Sequence, residues 1–355
     1  KEMYDFEDKG GRQIALRPEQ TASIVRSYAE NRPPLPWKVW YAGPNFRYER
    51  AQRGRYRQFD QVGMEALGSE DPYLDVEVIS VAWRFYEALG LKNVNLLLNS
   101  MGTANDRSRY IEALSEYFAN QKGDLSKESQ DTFVANPLRV LDSKRDEDAQ
   151  VIAEAPSILD HLSDEANDHF IKVQEGLEKL GIPYSVEPKL VRGLDYYLKT
   201  TFEFISESID AAQDAIGGGG RYDGLAAEMG APETPGVGFA LGLDRTLMAC
   251  DAEKSFPEPK HLLEIFVVDA TDGSHALVVA DQLRQEGFKV DRAFDNRSMK
   301  AQMKAADKSG AKIAVIIGDD EVGSGVVTIR DLRGEDGQEE IASELMIADL
   351  RKRLR

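Results

Sequence analysis

Hydrophobic positions along the chain switch between helical and strand-like spacing, and the switches mark out its elements. Residues 17–31, RPEQTASIVRSYAEN, read as a helix with Pro18 in its first turn. Residues 37–50 then read as a strand and 56–68 as its return partner across an arginine-rich turn. Residues 71–90 are predicted as a helix opened by Asp71-Pro72, with Leu74, Val78, Ala82 and Phe85 on one face. From about Asn105 to Gly181 the pattern is helical and charged, interrupted by ANPLRVLDSKRDEDAQ, and is expected to be a helical insertion. Strands resume at Tyr184 and run through LVRGLDYYLKTTFEF (190–204). They continue past GGGGRYDGL (217–225) into GVGFALGLDR (236–245), a strand passing into a helix.

AEKSFPEPKH (252–261), with two prolines and few apolar residues, reads as a linker. Beyond it strands and helices alternate. LEIFVVDA, FKVDRAF and KIAVIIGDD are predicted strands, and GSHALVVADQLRQEG and SMKAQMKAADKSG are predicted helices. That alternation marks a separate small α/β domain with a partly parallel sheet. The expected organisation is a larger core from 1–104 and 182–252, the insertion at 105–181, a linker at 253–261 and the C-terminal domain at 262–355.

The 355 residues suffice for two or three domains. No apolar run approaches the roughly 20 residues of a membrane span, and the opening KEMYDFEDKGGRQ has no apolar stretch of the signal-peptide kind. Cys250 is the one cysteine, so an internal disulfide and a thiolate metal cluster are excluded. His161, His169, His261 and His275 lie far apart without ligand spacing. No metal site is expected, and a cytoplasmic location is.

A net charge of −18 argues against non-specific binding to nucleic acid. One stretch is an exception: Arg47, Arg50, Arg53, Arg55 and Arg57 stand against a single carboxylate, Glu49. Arginine concentrated in an acidic chain suits a polyanion, although a solvated cationic loop has the same composition. Extended as a strand, the stretch puts Arg55, Arg57, Phe59, Gln61, Gly63 and Glu65 on one face. Arginines, an aromatic, an amide and a carboxylate make the floor of a polar site. Arg47 and Glu49 share a face upstream; a guanidinium clamps phosphate oxygens and a carboxylate accepts from an amino group, or the two form a surface pair.

FRYERAQRGRYRQFDQVGME (46–65) resembles motif 2 of the class II aminoacyl-tRNA synthetases, and GVGFALGLDR resembles motif 3. LVRGLDYY and GGGGRYDGL resemble the two signature peptides of the histidyl-tRNA synthetases, and LRPEQTA and NPLRVLDSK agree with that family. The resemblance covers essentially the whole chain. It implies a class II catalytic core, an antiparallel sheet flanked by helices, with a helical insertion and a C-terminal α/β anticodon-binding domain. The implied substrates are L-histidine, ATP with Mg²⁺, and tRNA(His), with no permanently bound cofactor. The intact protein is expected to be a homodimer. The family's N-terminal portion, which carries motif 1, precedes the point equivalent to Lys1 and is expected to be missing here.

Carried over by position, the resemblance gives Arg192 the histidine carboxylate and α-phosphate. Tyr197 and Glu65 take the imidazole nitrogens, with Tyr196 in the same pocket, and Glu19, Thr21 and Gln61 the α-amino end. Arg47 would contact the α-phosphate, and Arg55 and Arg245 the outer phosphates. Glu49 would recognise adenine and Phe59 stack on it, while Arg50 and Gln52 would meet the tRNA acceptor end. Arg192, Arg47 and Arg245 form the implied catalytic set, and the glycines at 217–220 would let the backbone approach the amino acid. Asp195 either orients Arg192 or simply pairs with it. The rival reading is a regulatory subunit of ATP phosphoribosyltransferase. That synthetase-like paralogue usually lacks the anticodon domain and loses the catalytic arginines retained here.

Overall fold

The computed structural model describes residues 3–209, 214–257, 263–334 and 337–354. It divides into two compact units, Lys1–Phe256 and Pro257–Arg355. Of the expected linker, residues 258–261 lie outside the described residues.

In the first unit a hairpin of β1 (Asp5–Glu7) and β2 (Gln13–Ala15) leads to helix α1 (Thr21–Asn31). The helix starts later than Pro18 predicts. The Pro18 carbonyl accepts from Arg47 Nε at 2.9 Å, and the Glu19 carboxylate accepts from the Ala22 N–H at 3.1 Å. Glu19 thus serves a free donor of the first turn from outside the helix.

Strand β3 (Trp37–Phe46) pairs antiparallel with β4 (Gln58–Leu67) along their whole length. Both are shorter than the sequence pattern implied. Between them Arg47–Arg57 forms a loop, closed by the Arg47 N–H donating to the Arg57 carbonyl at 2.9 Å and by a bridge between Gln52 and Arg55. Of the expected polar face, Phe59, Gln61, Gly63 and Glu65 therefore lie on the strand, and Arg55 and Arg57 in the loop.

Helix α2 (Pro72–Ala88) is capped by Asp71, which accepts from the Tyr73 N–H at 2.9 Å. It buries Leu74, Val78 and Ala82 as predicted, but Tyr86 lies deeper than Phe85. Strands β5 (Val94–Ser100), β6 (Ser185–Val186), β7 (Leu198–Ser206), β8 (Ala215–Arg221) and β9 (Gly236–Gly242) complete a seven-stranded sheet. Its order is β3-β4-β9-β8-β7-β5-β6, antiparallel throughout except for the β5–β6 edge. Apolar residues of α2 and of the sheet, among them Ile79, Leu96, Phe202, Phe204 and Leu241, form its main core.

Helices α3 (Ala104–Asn120), α4 (Lys127–Ala135) and α5 (Ala149–Glu154), with 3₁₀ turns such as Pro137–Asp142, build a separate core around Tyr110, Leu114, Phe118, Leu138 and Ile158. Helix α6 (Asp164–Lys179) continues the helical pattern, yet it buries Phe170, Val173 and Leu177 in the main core. The short α7 (Leu225–Glu228) precedes β9, and α8 (Leu243–Glu253) follows it directly.

The second unit has strands β10 (Ile265–Asp269), β11 (Val290–Arg292), β12 (Ile313–Ile317), β13 (Val326–Asp331) and β14 (Gln338–Ala342) in the order β11-β10-β12-β13-β14. The first three are parallel, and β13 and β14 run antiparallel. Helices α9 (Ser274–Gln285) and α12 (Met346–Leu354) cover one face, where Ile265 and Val267 point. Helix α10 (Met299–Lys308) covers the other, where Phe266 and Val268 point, and α11 (Asp319–Ser324) links β12 to β13. Among the described residues no helix is long and apolar enough to cross a membrane.

Candidate active site

Glu65 is the polar centre of the sheet and is almost completely buried. Its Oε1 accepts from the Thr21 hydroxyl at 2.6 Å and from the Tyr41 hydroxyl at 3.2 Å. Its Oε2 accepts from the Tyr222 hydroxyl at 2.6 Å. Burial raises the Glu65 carboxyl to about 7, against the opposing pull of these hydroxyls. Gly238 stands opposite on β9, and a Cβ there would come within 1.8 Å of Oε2. The rings of Tyr196 and Tyr197 lie 4.8 Å apart, with Tyr222 5.9 Å from Tyr196. The Tyr196 hydroxyl is buried close to the hydroxyls of Thr21 and Tyr197.

Two further groups lie beside this pocket. Gln61 accepts from the Asn45 amide at 2.8 Å, and Asn45 is fully buried with its own carbonyl oxygen unpartnered. The Glu19 carboxyl is raised by burial, with the charge of Arg47 opposing.

Arg192 lies against β8 and is ion-paired with Glu203 of β7; its Nε is buried without a partner. The glycine run explains its position. A Cβ on Gly218 would come 2.9 Å from the Arg192 guanidinium, and one on Gly220 would come 2.8 Å from the Tyr197 ring. Gly217–Gly220 are regular strand residues, and none has a positive φ. Here glycine supplies room for Arg192 and Tyr197, not turn geometry. Asp195 does not pair with Arg192: it is held by the Asn136 amide at 3.2 Å and faces Arg107 at 3.8 Å.

The arginine loop folds back on itself. The Arg47 guanidinium lies over the Phe59 ring, 4.9 Å from its centre, and Arg55 is ion-paired with Glu49. Arg245, in the first turn of α8, donates to the carbonyls of Gly54 at 2.7 Å and Ala215 at 2.8 Å. Burial lowers its pKa, and the positive charges of Arg55 and Arg47 add to the effect. Arg245 with Arg47 and Arg55 forms a site for an anion of several charges. Arg50 and Gln52 are exposed on the same loop.

Beneath the pocket Arg221 and Asp75 form a fully buried ion pair. Asp75 also lies 2.8 Å from His169 Nε2 and accepts from the Thr200 hydroxyl at 2.6 Å. The pair fixes the residue before Tyr222. Sequence reasoning missed Tyr41, Asn45, Glu203, Tyr222 and this pair. Only Arg221 and Tyr222 had a visible signal, inside GGGGRYDGL; Asp75 reads as an ordinary acid in a first helical turn.

Comparison with known proteins identifies the family. A profile described as histidyl-tRNA synthetase matches residues 1–246, and one described as anticodon binding domain matches 265–353. The chain belongs to the histidyl-tRNA synthetase family. A histidine–tRNA ligase of Corynebacterium kroppenstedtii is 46% identical over 100% of this chain and 83% of its own. One of Geobacillus kaustophilus is 49% identical over 91% and 77%. The crystal structure of apo S. aureus histidyl-tRNA synthetase superposes with a TM-score of 0.75 at 36% identity, covering 98% of this chain and 86% of that one. The class II core and anticodon domain expected from the motifs are thereby shown.

Among the described residues no group of three or more His, Cys, Asp or Glu could hold a metal ion. Members of this family use ATP, and the convergent arginines suit its phosphates.

Proposed function

We propose that the chain is a histidine–tRNA ligase. It joins L-histidine to ATP as histidyl-adenylate, then transfers histidine to the terminal adenosine of tRNA(His). The observation that carries this reading is one contiguous site. A buried acceptor carboxylate, Glu65, held by Thr21, Tyr41 and Tyr222, shares strand β4 with Phe59, over whose ring Arg47 of the guanidinium cluster lies, and Arg192 faces the glycine run beside it.

Each part has a chemical task. In activation a histidine carboxylate oxygen bonds to the α-phosphorus as the bond to pyrophosphate breaks. Two anions must meet, so Arg192 takes the carboxylate and α-phosphate and Arg47 a further α-phosphate oxygen. Charge developing on the transferred group is then stabilised by fixed cations. Arg55 and Arg245 hold the outer phosphates, Phe59 exchanges Arg47 for the adenine ring, and Glu49 accepts from the adenine amino group. Glu65 and Tyr197 bind the imidazole beside Tyr196, while Glu19, Thr21 and Gln61 receive the α-amino group. Mg²⁺ enters with ATP as part of the substrate, bound through the phosphates. Arg50 and Gln52 meet the acceptor end of the tRNA, and the second unit reads the anticodon. The working protein is a cytoplasmic homodimer.

Histidine-dependent exchange of pyrophosphate into ATP, and charging of tRNA(His), test this directly. Absence of both with purified protein overturns it. The regulatory-subunit reading is the weaker one. A Bacillus halodurans structure titled as an ATP phosphoribosyltransferase regulatory subunit/histidyl-tRNA synthetase is 20% identical and shares the fold, while the ligases share 44–49%.

A further inference from the structure

NPLRVLDSK (136–144) belongs to the helical segment with its own core, yet its polar residues leave that core and close on the segment after Arg192. The Arg139 guanidinium donates to the Gly193 carbonyl at 2.6 Å. The Asn136 amide donates to the Asp195 carboxylate at 3.2 Å. Arg107, from α3, donates to the Asp195 backbone carbonyl and faces its carboxylate at 3.8 Å. Gly193 and Asp195 are exposed and belong to neither helix nor strand, so no backbone ladder fixes them. Three side chains from the helical segment do so instead, each on a residue one to three positions beyond Arg192. Among the described residues none of the three makes a hydrogen bond or ion pair with Arg192, whose ion-pair partner is Glu203.

We propose that Arg139, Asn136 and Arg107 are positioning residues that hold the 193–195 segment so that Arg192 meets its anionic partners in one geometry. Deviation of the helical segment is then felt as a displacement of Arg192. The proposal rests on the assignment of Arg192 to the activation step. Guanidinium-to-carbonyl and amide-to-carboxylate contacts fix direction as well as distance, and a misplacement of about 1 Å at a reacting group costs up to 10²-fold in rate. The sum of these contacts therefore governs the maximal rate more than substrate affinity.

The test is a double-mutant cycle on the full chain, read by histidine-dependent pyrophosphate exchange. Arg192→Ala should lower kcat by about 10²-fold or more. Arg139→Ala should lower kcat by about 10-fold with the KM for ATP little changed. Arg139→Lys, which keeps a donor able to reach the Gly193 carbonyl, should restore part of the loss. In the Arg192→Ala background Arg139→Ala should have no further effect, since its action passes through Arg192. An undiminished kcat in Arg139→Ala, or an equal loss in both backgrounds, overturns the proposal. Asn136→Ala repeats the cycle at Asp195 and applies the same criteria should Arg139→Ala fail to fold. A silent Arg192→Ala would instead overturn the assignment of Arg192, which the same cycle reports separately.

Discussion

Tyr222 donates its hydroxyl hydrogen to Glu65 at 2.6 Å, with both side chains almost completely buried. Thr21 and Tyr41 donate to the other carboxylate oxygen. A carboxylate has about four acceptor positions, so three are filled and one remains for an imidazole N–H. The hydroxyls also favour the ionised form, which burial alone would suppress. Selectivity for histidine then depends in part on Tyr41 and Tyr222, which hold Glu65 rather than the substrate.

Tyr222→Phe should therefore raise the KM for histidine by about 10-fold or more, the scale of one hydrogen bond to a charged group. The KM for ATP should stay within about 2-fold, because the arginine cluster is untouched. With one stabilising donor lost, the Glu65 carboxyl rises further and more of it is protonated at neutrality. Raising the pH by about one to two units should recover part of the affinity. Steady-state exchange at two pH values measures both, and an unchanged KM for histidine would show that Tyr222 merely packs.

Glu65 should also leave a mark on stability. Its carboxyl is raised from 4.5 to about 7 in the folded protein. Between those values the folded chain holds a proton that the unfolded chain has released, so this group's contribution falls as pH rises and is level above about 7. The fall amounts to about 3 kcal/mol. Glu65→Gln does not titrate. Relative to wild type, the variant should gain roughly that much between about pH 4.5 and 7, as urea unfolding would show. A constant difference across that window would mean that the hydroxyls, not burial, set the ionisation.

What the sequence revealed follows from how locally each feature is encoded. Strand and helix spacing placed β4, α2 and the alternating C-terminal unit, since burial on one face leaves a period behind. The flanks of the arginine-rich turn, 47–50 and 56–57, read as strand because alternation alone cannot tell a strand end from a polar loop; the Gln52–Arg55 bridge and the Arg47–Arg57 bond decide it. The helical pattern passes from α5 to α6 with no compositional change, so nothing local shows that Phe170 and Leu177 return to the main core. Tyr41, Asn45 and Asp75 matter through partners distant in sequence, such as the 146 positions between Asp75 and Arg221. Such pairs appear only once the chain is folded.

The Asp75–Arg221 pair makes its own prediction. Burial works against the Asp75 charge, but His169 and the Arg221 charge hold its carboxyl below the usual range. Asp75→Ala would leave the guanidinium buried against Asp223 and backbone carbonyls alone. Removing one partner of a buried pair costs about 3–5 kcal/mol. Asp75→Asn, which keeps oxygen and shape, should cost less. Because Tyr222 follows Arg221 directly, the variants should also weaken histidine binding. Denaturant midpoints and the KM for histidine test both effects, and an Ala variant as stable as wild type would contradict the first.

Every residue assigned to activation lies at or before Arg245, and the first unit has a core of its own. A chain ending near Phe256 should therefore keep histidine-dependent pyrophosphate exchange within about a few-fold of the full chain. Charging of tRNA(His) should fall sharply, mainly through a higher KM for tRNA, because the anticodon-binding unit is gone. Arg50 and Gln52 remain exposed on the Arg47–Arg57 loop to meet the acceptor end, so a residue of charging should survive. Replacing Arg50 in the shortened chain should abolish it, whereas in the full chain the same change should only weaken charging. If the second unit instead merely supports the first, its removal will lower exchange and charging by the same factor. Both rates measured on one truncated preparation separate the two outcomes.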